Sequence, residues 1–104
     1  IPLTHREYTS SVIFITGHED PTKSESSIAW DKIVGAGTIV ILMGVGNLAK
    51  IKERLIKEGL SPNIPFVIIC NGTLPEQRVI EGRLMDMDEL AEENNVKPPA
   101  IVVI

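Results

Sequence analysis

Four short runs in this chain are apolar at nearly every position: "SVIFITG" (11–17), "TIVILMG" (38–44), "PFVIIC" (65–70) and "PAIVVI" (99–104). They are rich in β-branched residues, which favour strands. They show no polar alternation, and a strand that is apolar on both sides is one buried on both faces. The segments between them have a different period. In "NLAKIKERLIKEG" (47–59), Leu48, Ile51, Leu55 and Ile56 recur at helical spacing, with Lys and Glu on the opposite side. Asn47 is a natural N-cap there and Gly59 a natural stop. "IAWDKIV" (28–34) has room for one or two helical turns. "DMDELAEENN" (86–95) is a short acidic helix in which Asp86 and Glu89 stand at capping-box spacing. "RVIEGRL" (78–84) carries Glu81 and Arg83, which places it at or near a sheet edge. The expected architecture is α/β: a mixed, mostly parallel five-stranded sheet with helices on both faces. "RVIEGRL" supplies the antiparallel partner and "TIVILM" lies in the interior of the sheet.

With 104 residues the chain is one domain. Its net charge of −4 lacks the basic field of a nucleic-acid surface. No apolar run approaches the roughly 18 residues of a membrane span. A single cysteine, Cys70, excludes an internal disulfide and makes a reducing, cytoplasmic setting the default. No signal peptide is visible. The chain starts at Ile1 and stops inside an apolar run at Ile104, so the expectation is a piece of a longer protein.

Bare backbone draws attention to "MGVGNLA" (43–49). Gly44, Gly46 and Ala49 satisfy G-x-G-x-x-G/A, but the next strand ends in Cys70 and Asn71, where a dinucleotide site would place an acid. Two readings stand: a tight strand-to-helix turn that needs small residues, or a ligand pressed against backbone beyond the strand ends. Gly72, in "CNGTLPEQR", falls at the equivalent place after the third strand. His5 and His18 have no partner at metal-ligand spacing, so no metal site is expected. His18 follows a strand end and a glycine. Arg6, between His5 and Glu7, is either half of a surface ion pair or a clamp for a carboxylate. Cys70 ends a buried strand with no basic neighbour and reads as structural. Lys50, Lys52, Arg54 and Lys57, interleaved with Glu53 and Glu58, read as a solvated helix face. No catalytic dyad is evident.

Taken in order, "IPLTHREYTSS", "FITGHEDP", "ILMGVGNL", "NGTLPEQRVIEGRL" and "PPAIVVI" resemble the C-terminal half of the uroporphyrinogen-III C-methyltransferase family, a branch of the tetrapyrrole methylase superfamily. The resemblance runs from Ile1 to Ile104. It implies an enzyme that transfers methyl groups from S-adenosyl-L-methionine to uroporphyrinogen III, giving precorrin-2 for sirohaem and cobalamin biosynthesis. It also implies that the methyl donor lies in a cleft between two α/β domains. Met43, Gly44, Gly72 and Ala100 then match cofactor-binding positions, and Arg6 and His18 match positions facing the tetrapyrrole. An arginine suits that polycarboxylate substrate. The N-terminal domain of the family, with its G-x-G-P-G-D-like loop and its base, has no counterpart in these residues. The resemblance therefore implies no catalytic residue here, a fragment inactive alone, a partner in its own N-terminal domain, and a homodimer. The competing readings are another precorrin methylase and a non-catalytic ligand-binding domain of nucleotide-fold ancestry.

Overall fold

A row of five branched side chains crosses the sheet from edge to edge: Ile15, Ile41, Val102, Ile68 and Ile80, each paired in register with the next. All five lie on the face that the helices cover. The computed structural model describes residues 11–17, 30–35, 37–72 and 74–104. Over these the strands are β1 (Val12–Thr16), β2 (Thr38–Leu42), β3 (Pro65–Cys70), β4 (Arg78–Arg83) and β5 (Ala100–Val103). The helices are α1 (Trp30–Ile33), α2 (Leu48–Lys57) and α3 (Met87–Glu93). Short 3₁₀ turns lead into α2 (Val45–Asn47) and α3 (Leu84–Asp86).

The strand order is β1-β2-β5-β3-β4. Only β1 and β2 pair in parallel; the other three pairings are antiparallel. The sheet is mixed, as expected, but not mostly parallel. The reason is the place of β5, which inserts between β2 and β3 and runs against both. β4 is the edge strand antiparallel to β3, as its charges suggested, and β2 is interior.

The same topology corrects the expectation of helices on both faces. α1, α2 and α3 each connect strands that run in the same direction: β1 to β2, β2 to β3, and β4 to β5. Such crossovers are almost always right-handed. The step from β4 to β5 reverses both strand direction and lateral movement, so all three helices fall on one face. Trp30 and Ile33 of α1, Leu48, Ile51 and Leu55 of α2, and Met87 and Ala91 of α3 accordingly join one buried cluster with Ile39, Ile41, Phe66, Ile68, Cys70, Ile80 and Val102. Among the described residues, no helix covers the second face, which strand side chains line with Gly72 and Gln77 at its margin. Its rows are Phe14, Val40, Val103, Val67, Glu81 and Thr16, Leu42, Ile101, Ile69, Val79.

Local chemistry sets the helix ends, with two departures from expectation. Gly59, at φ +110°, closes α2 with paired bonds from the N–H of Leu60 to Leu55 O and from the N–H of Gly59 to Ile56 O. Asn95, at φ +54°, does the same for α3 through Ala91 and Glu92. Asn47 and Asp86 occupy the N-cap positions, but neither side chain caps its helix. Asp86 lies 3.7 Å from Arg83 instead, so the capping box does not form. Lys52 also leaves the solvated face assigned to it. Its Nζ sits 2.7 Å from Asp88 Oδ1 and joins α2 to α3.

Candidate functional site

Because β1, β2 and β3 run together and β4 and β5 run against them, one end of the sheet collects three strand ends and two strand starts. Across it lie Gly17, then Met43 and Gly44, then Ala100, then Asn71 and Gly72, then Gln77 and Arg78. The register fixes this order: Thr16 pairs with Leu42, Leu42 with Ile101, and Cys70 with both Ala100 and Arg78. The pairing continues past the last strand residues, where the N–H of Gly17 donates to Leu42 O at 2.7 Å and that of Asn71 to Pro99 O at 3.0 Å.

The structure thus brings Met43, Gly44, Gly72 and Ala100 to one edge from three separate stretches of sequence. They differ in what they present. Met43 is 65% exposed and stands at φ +58°. With Val45, Gly46, Pro98 and Ala100 it lines a cavity of about 320 Å³. Gly72 is exposed, and a Cβ there would touch only Ile69 Cγ2, at 3.4 Å. It also borders a larger cavity, about 650 Å³, that runs over the second face between Phe14 and Val79. Gly44 is buried. A Cβ on it would meet Ile41 Cγ2 at 2.7 Å, so the absent side chain is already required by packing. Gly44 can offer a ligand only backbone. Arg6, His18 and His5 lie outside the described residues.

Three features of this edge were not singled out from sequence. Gly17 presses so closely on Gly44 that its Cβ would stand 2.5 Å from the Gly44 Cα. Asn47 Nδ2 donates to Gly17 O at 2.6 Å, using on β1 the amide expected to cap α2. Asn71, like Met43, has left-handed backbone, at φ +53°. A signal for the first was present: a glycine, in "TG" and in "MG", follows the end of each of two apolar strand runs. The clear carboxylate shift is that of Asp88, held below its ordinary value chiefly by the hydrogen bond from Lys52. Cys70 is buried, consistent with its structural reading.

The arrangement is an open α/β strand-end site built mainly of backbone and small or flexible side chains. It can hold and orient a small molecule in a shallow cleft, and a second wall is needed to enclose it. A cavity of about 320 Å³ lies at the lower end of the range for small-molecule sites.

Residues 1–88 match the family model described as Tetrapyrrole (Corrin/Porphyrin) Methylases, and the chain belongs to that family. All of it aligns with an S-adenosyl-L-methionine-dependent uroporphyrinogen III methyltransferase of Methanosarcina barkeri, at 53% identity and over 41% of that protein. It aligns equally completely with a uroporphyrinogen-III C-methyltransferase of a Synechocystis strain, at 46% identity and over 40% of its length. Among solved structures, the Thermus thermophilus uroporphyrin-III C-methyltransferase complexed with S-adenosyl homocysteine superposes with a TM-score of 0.81 at 26% identity. That match covers 98% of this chain and 42% of the other. The chain spans about two-fifths of the length of these relatives.

Proposed function

We propose that the chain is the C-terminal domain of an S-adenosyl-L-methionine-dependent methyltransferase that converts uroporphyrinogen III to precorrin-2, in sirohaem and cobalamin biosynthesis. The observation that carries this reading is the meeting of Met43, Gly72 and Ala100 at one strand-end edge, in a chain 53% identical to a relative of that name. These residues fit the methyl donor on physical grounds. Gly72 leaves room for close approach to backbone, Ala100 is small, and the exposed Met43 thioether is a flexible, polarisable surface for a nucleoside or its thioether chain. When bound, S-adenosylmethionine supplies an electrophilic methyl group on a sulfonium.

The work left to this domain is positioning. Met43, Gly72 and Ala100 hold one side of the donor so that its S–CH₃ bond can line up with an electron-rich pyrrole carbon, a task in which orientation supplies much of the rate. The family resemblance assigns Arg6 and His18 to recognition of the tetrapyrrole, a role that suits an arginine because the substrate is a polycarboxylate. The group that removes the ring proton belongs to the N-terminal domain, which also supplies the second wall of the cleft. The intact protein works as a cytoplasmic homodimer.

The test compares the isolated chain with the full-length protein. Calorimetry with S-adenosyl homocysteine and methyl transfer to uroporphyrinogen III are measured for each. The full-length protein is expected to bind and turn over, and the isolated chain to show no turnover. A full-length protein that binds S-adenosyl homocysteine but methylates only later precorrins would replace the substrate assignment. One that binds neither ligand would leave the reading of a non-catalytic domain.

A further inference from the structure

Two residues at the strand-end edge are held where side chains rarely go. Met43 at φ +58° and Asn71 at φ +53° end β2 and β3, the two strands that flank β5. The remaining positive-φ non-glycine residue among those described, Asn95, is accounted for as the terminator of α3. Met43 and Asn71 terminate no helix. Non-glycine residues outside helix ends that are kept in this region by their surroundings concentrate at functional sites.

At Asn71 the surroundings are explicit. Its N–H donates to Pro99 O at 3.0 Å, which ties it to the approach to β5. Its carbonyl accepts the Leu74 N–H at 3.0 Å, and Leu74 O in turn accepts the Gln77 N–H at 3.0 Å. Two successive turns thus carry the chain from β3 into β4. Both backbone groups of Asn71 are engaged within the chain, whereas among the described residues Gly72 makes no backbone hydrogen bond. The left-handed step at Asn71 turns the next peptide out of line with β3 and leaves Gly72 at the exposed edge.

We infer that Asn71 is a positioning residue: its left-handed backbone sets the peptide of Gly72 for contact with the methyl donor. This rests on the function proposed above. Asparagine fits because it tolerates this conformation better than other residues with a Cβ. It also restricts the chain in a way that glycine does not.

The experiment uses the full-length protein with Asn71→Asp, Asn71→Gly, Asn71→Ala and Asn71→Val. The readings are the Kd for S-adenosyl homocysteine by calorimetry, KM and kcat for S-adenosylmethionine, and the melting temperature. Asp and Gly are expected to bind within a few-fold of the unaltered protein. Ala should weaken binding about 5- to 30-fold, the ratio that the steric bias against left-handed backbone supplies, and Val should weaken it more. The loss should appear in KM with kcat little changed. A Gly variant that binds as weakly as Ala would overturn the inference, since the amide rather than the backbone angle would then matter. Ala and Val variants that melt lower yet bind normally when folded would overturn it too, leaving Asn71 a turn residue only. If the unaltered protein binds no S-adenosyl homocysteine, the proposed function falls and this inference with it, a result distinct from a failure of the variants to rank.

Discussion

Gly17 and Gly44 touch backbone to backbone: a Cβ on Gly17 would lie 2.5 Å from the Cα of Gly44 and 3.0 Å from Ile51 Cδ1. The contact joins the ends of two parallel strands to the first turns of α2. It separates the two glycines of the "GVG" turn. Gly44 is required by packing, with Ile41 Cγ2 2.7 Å from where its Cβ would be, whereas a Cβ on Gly46 would meet nothing within 4 Å. Gly44→Ala should therefore destabilise by about 1–3 kcal/mol, the usual cost of forcing a methyl group into packed space. Gly46→Ala should stay within about 0.5 kcal/mol of the parent. Urea unfolding of the two variants checks the contrast; equal effects would contradict it.

Asn47 offers a second contrast, because its two possible roles predict opposite outcomes for one substitution. As an N-cap, aspartate serves about as well as asparagine. As the donor to Gly17 O at 2.6 Å, aspartate fails, since a carboxylate has no N–H and would set its charge against the carbonyl. The observed bond predicts that Asn47→Asp at neutral pH costs about 1–2 kcal/mol, no less than Asn47→Ala. Denaturant midpoints for both variants decide it. A neutral or stabilising Asn47→Asp would restore the capping role.

These two positions show where the sequence was legible and where it was not. Helical spacing at Leu48, Ile51 and Leu55 marked α2 and its buried side, and Gly59 marked its end. Glu81 and Arg83 marked β4 as an edge. The failures concern relations between distant segments. "PAIVVI" is apolar on both sides, so nothing in it told that β5 would enter between β2 and β3 and make the sheet mostly antiparallel. The same apolar continuity suggested helices on both faces, whereas the crossovers gather α1, α2 and α3 on one. At the site, Met43 and Gly72 stood out by their place just beyond apolar strands and Ala100 by resemblance, and the topology brings the three together. Asn47 misled because its amide reaches thirty residues back, beyond the range of any capping pattern.

The bond between Lys52 and Asp88 gives a pH dependence with a definite sign. The hydrogen bond from Lys52 holds the Asp88 carboxyl below its ordinary value of 3.8. The folded state therefore binds this proton less readily than the unfolded chain does. The stabilisation is fully present above pH 3.8 and is lost as the pH falls through the lower folded value. Both side chains are partly exposed, at 19% and 29%, so the contribution is about 1 kcal/mol or less. Lys52→Met should lower stability by that amount at pH 7 and narrow the gap from the parent below pH 3.8. Urea midpoints measured from pH 7 to pH 3 check it, and a constant gap across that range would assign the loss to packing alone.

Met43 and Met87 make the last contrast, one methionine at the strand-end edge and one in the core. Met43 is 65% exposed beside the 320 Å³ cavity, while Met87 is fully buried on the inner side of α3. Removing a buried methionine side chain costs about 2–5 kcal/mol. Met87→Ala should therefore melt far below the parent and, while folded, bind S-adenosyl homocysteine normally. Met43→Ala removes side-chain contact at the edge but leaves the backbone in the same left-handed region, since alanine gains no relief there. Its melting temperature should move little. Its Kd for S-adenosyl homocysteine in the full-length protein should rise about tenfold, which corresponds to about 1.4 kcal/mol of lost contact. Calorimetry and thermal unfolding of the two variants give four numbers with a crossed pattern. If Met43→Ala instead behaves like Met87→Ala, losing stability and keeping affinity, the edge at Met43 serves the fold and the ligand lies elsewhere.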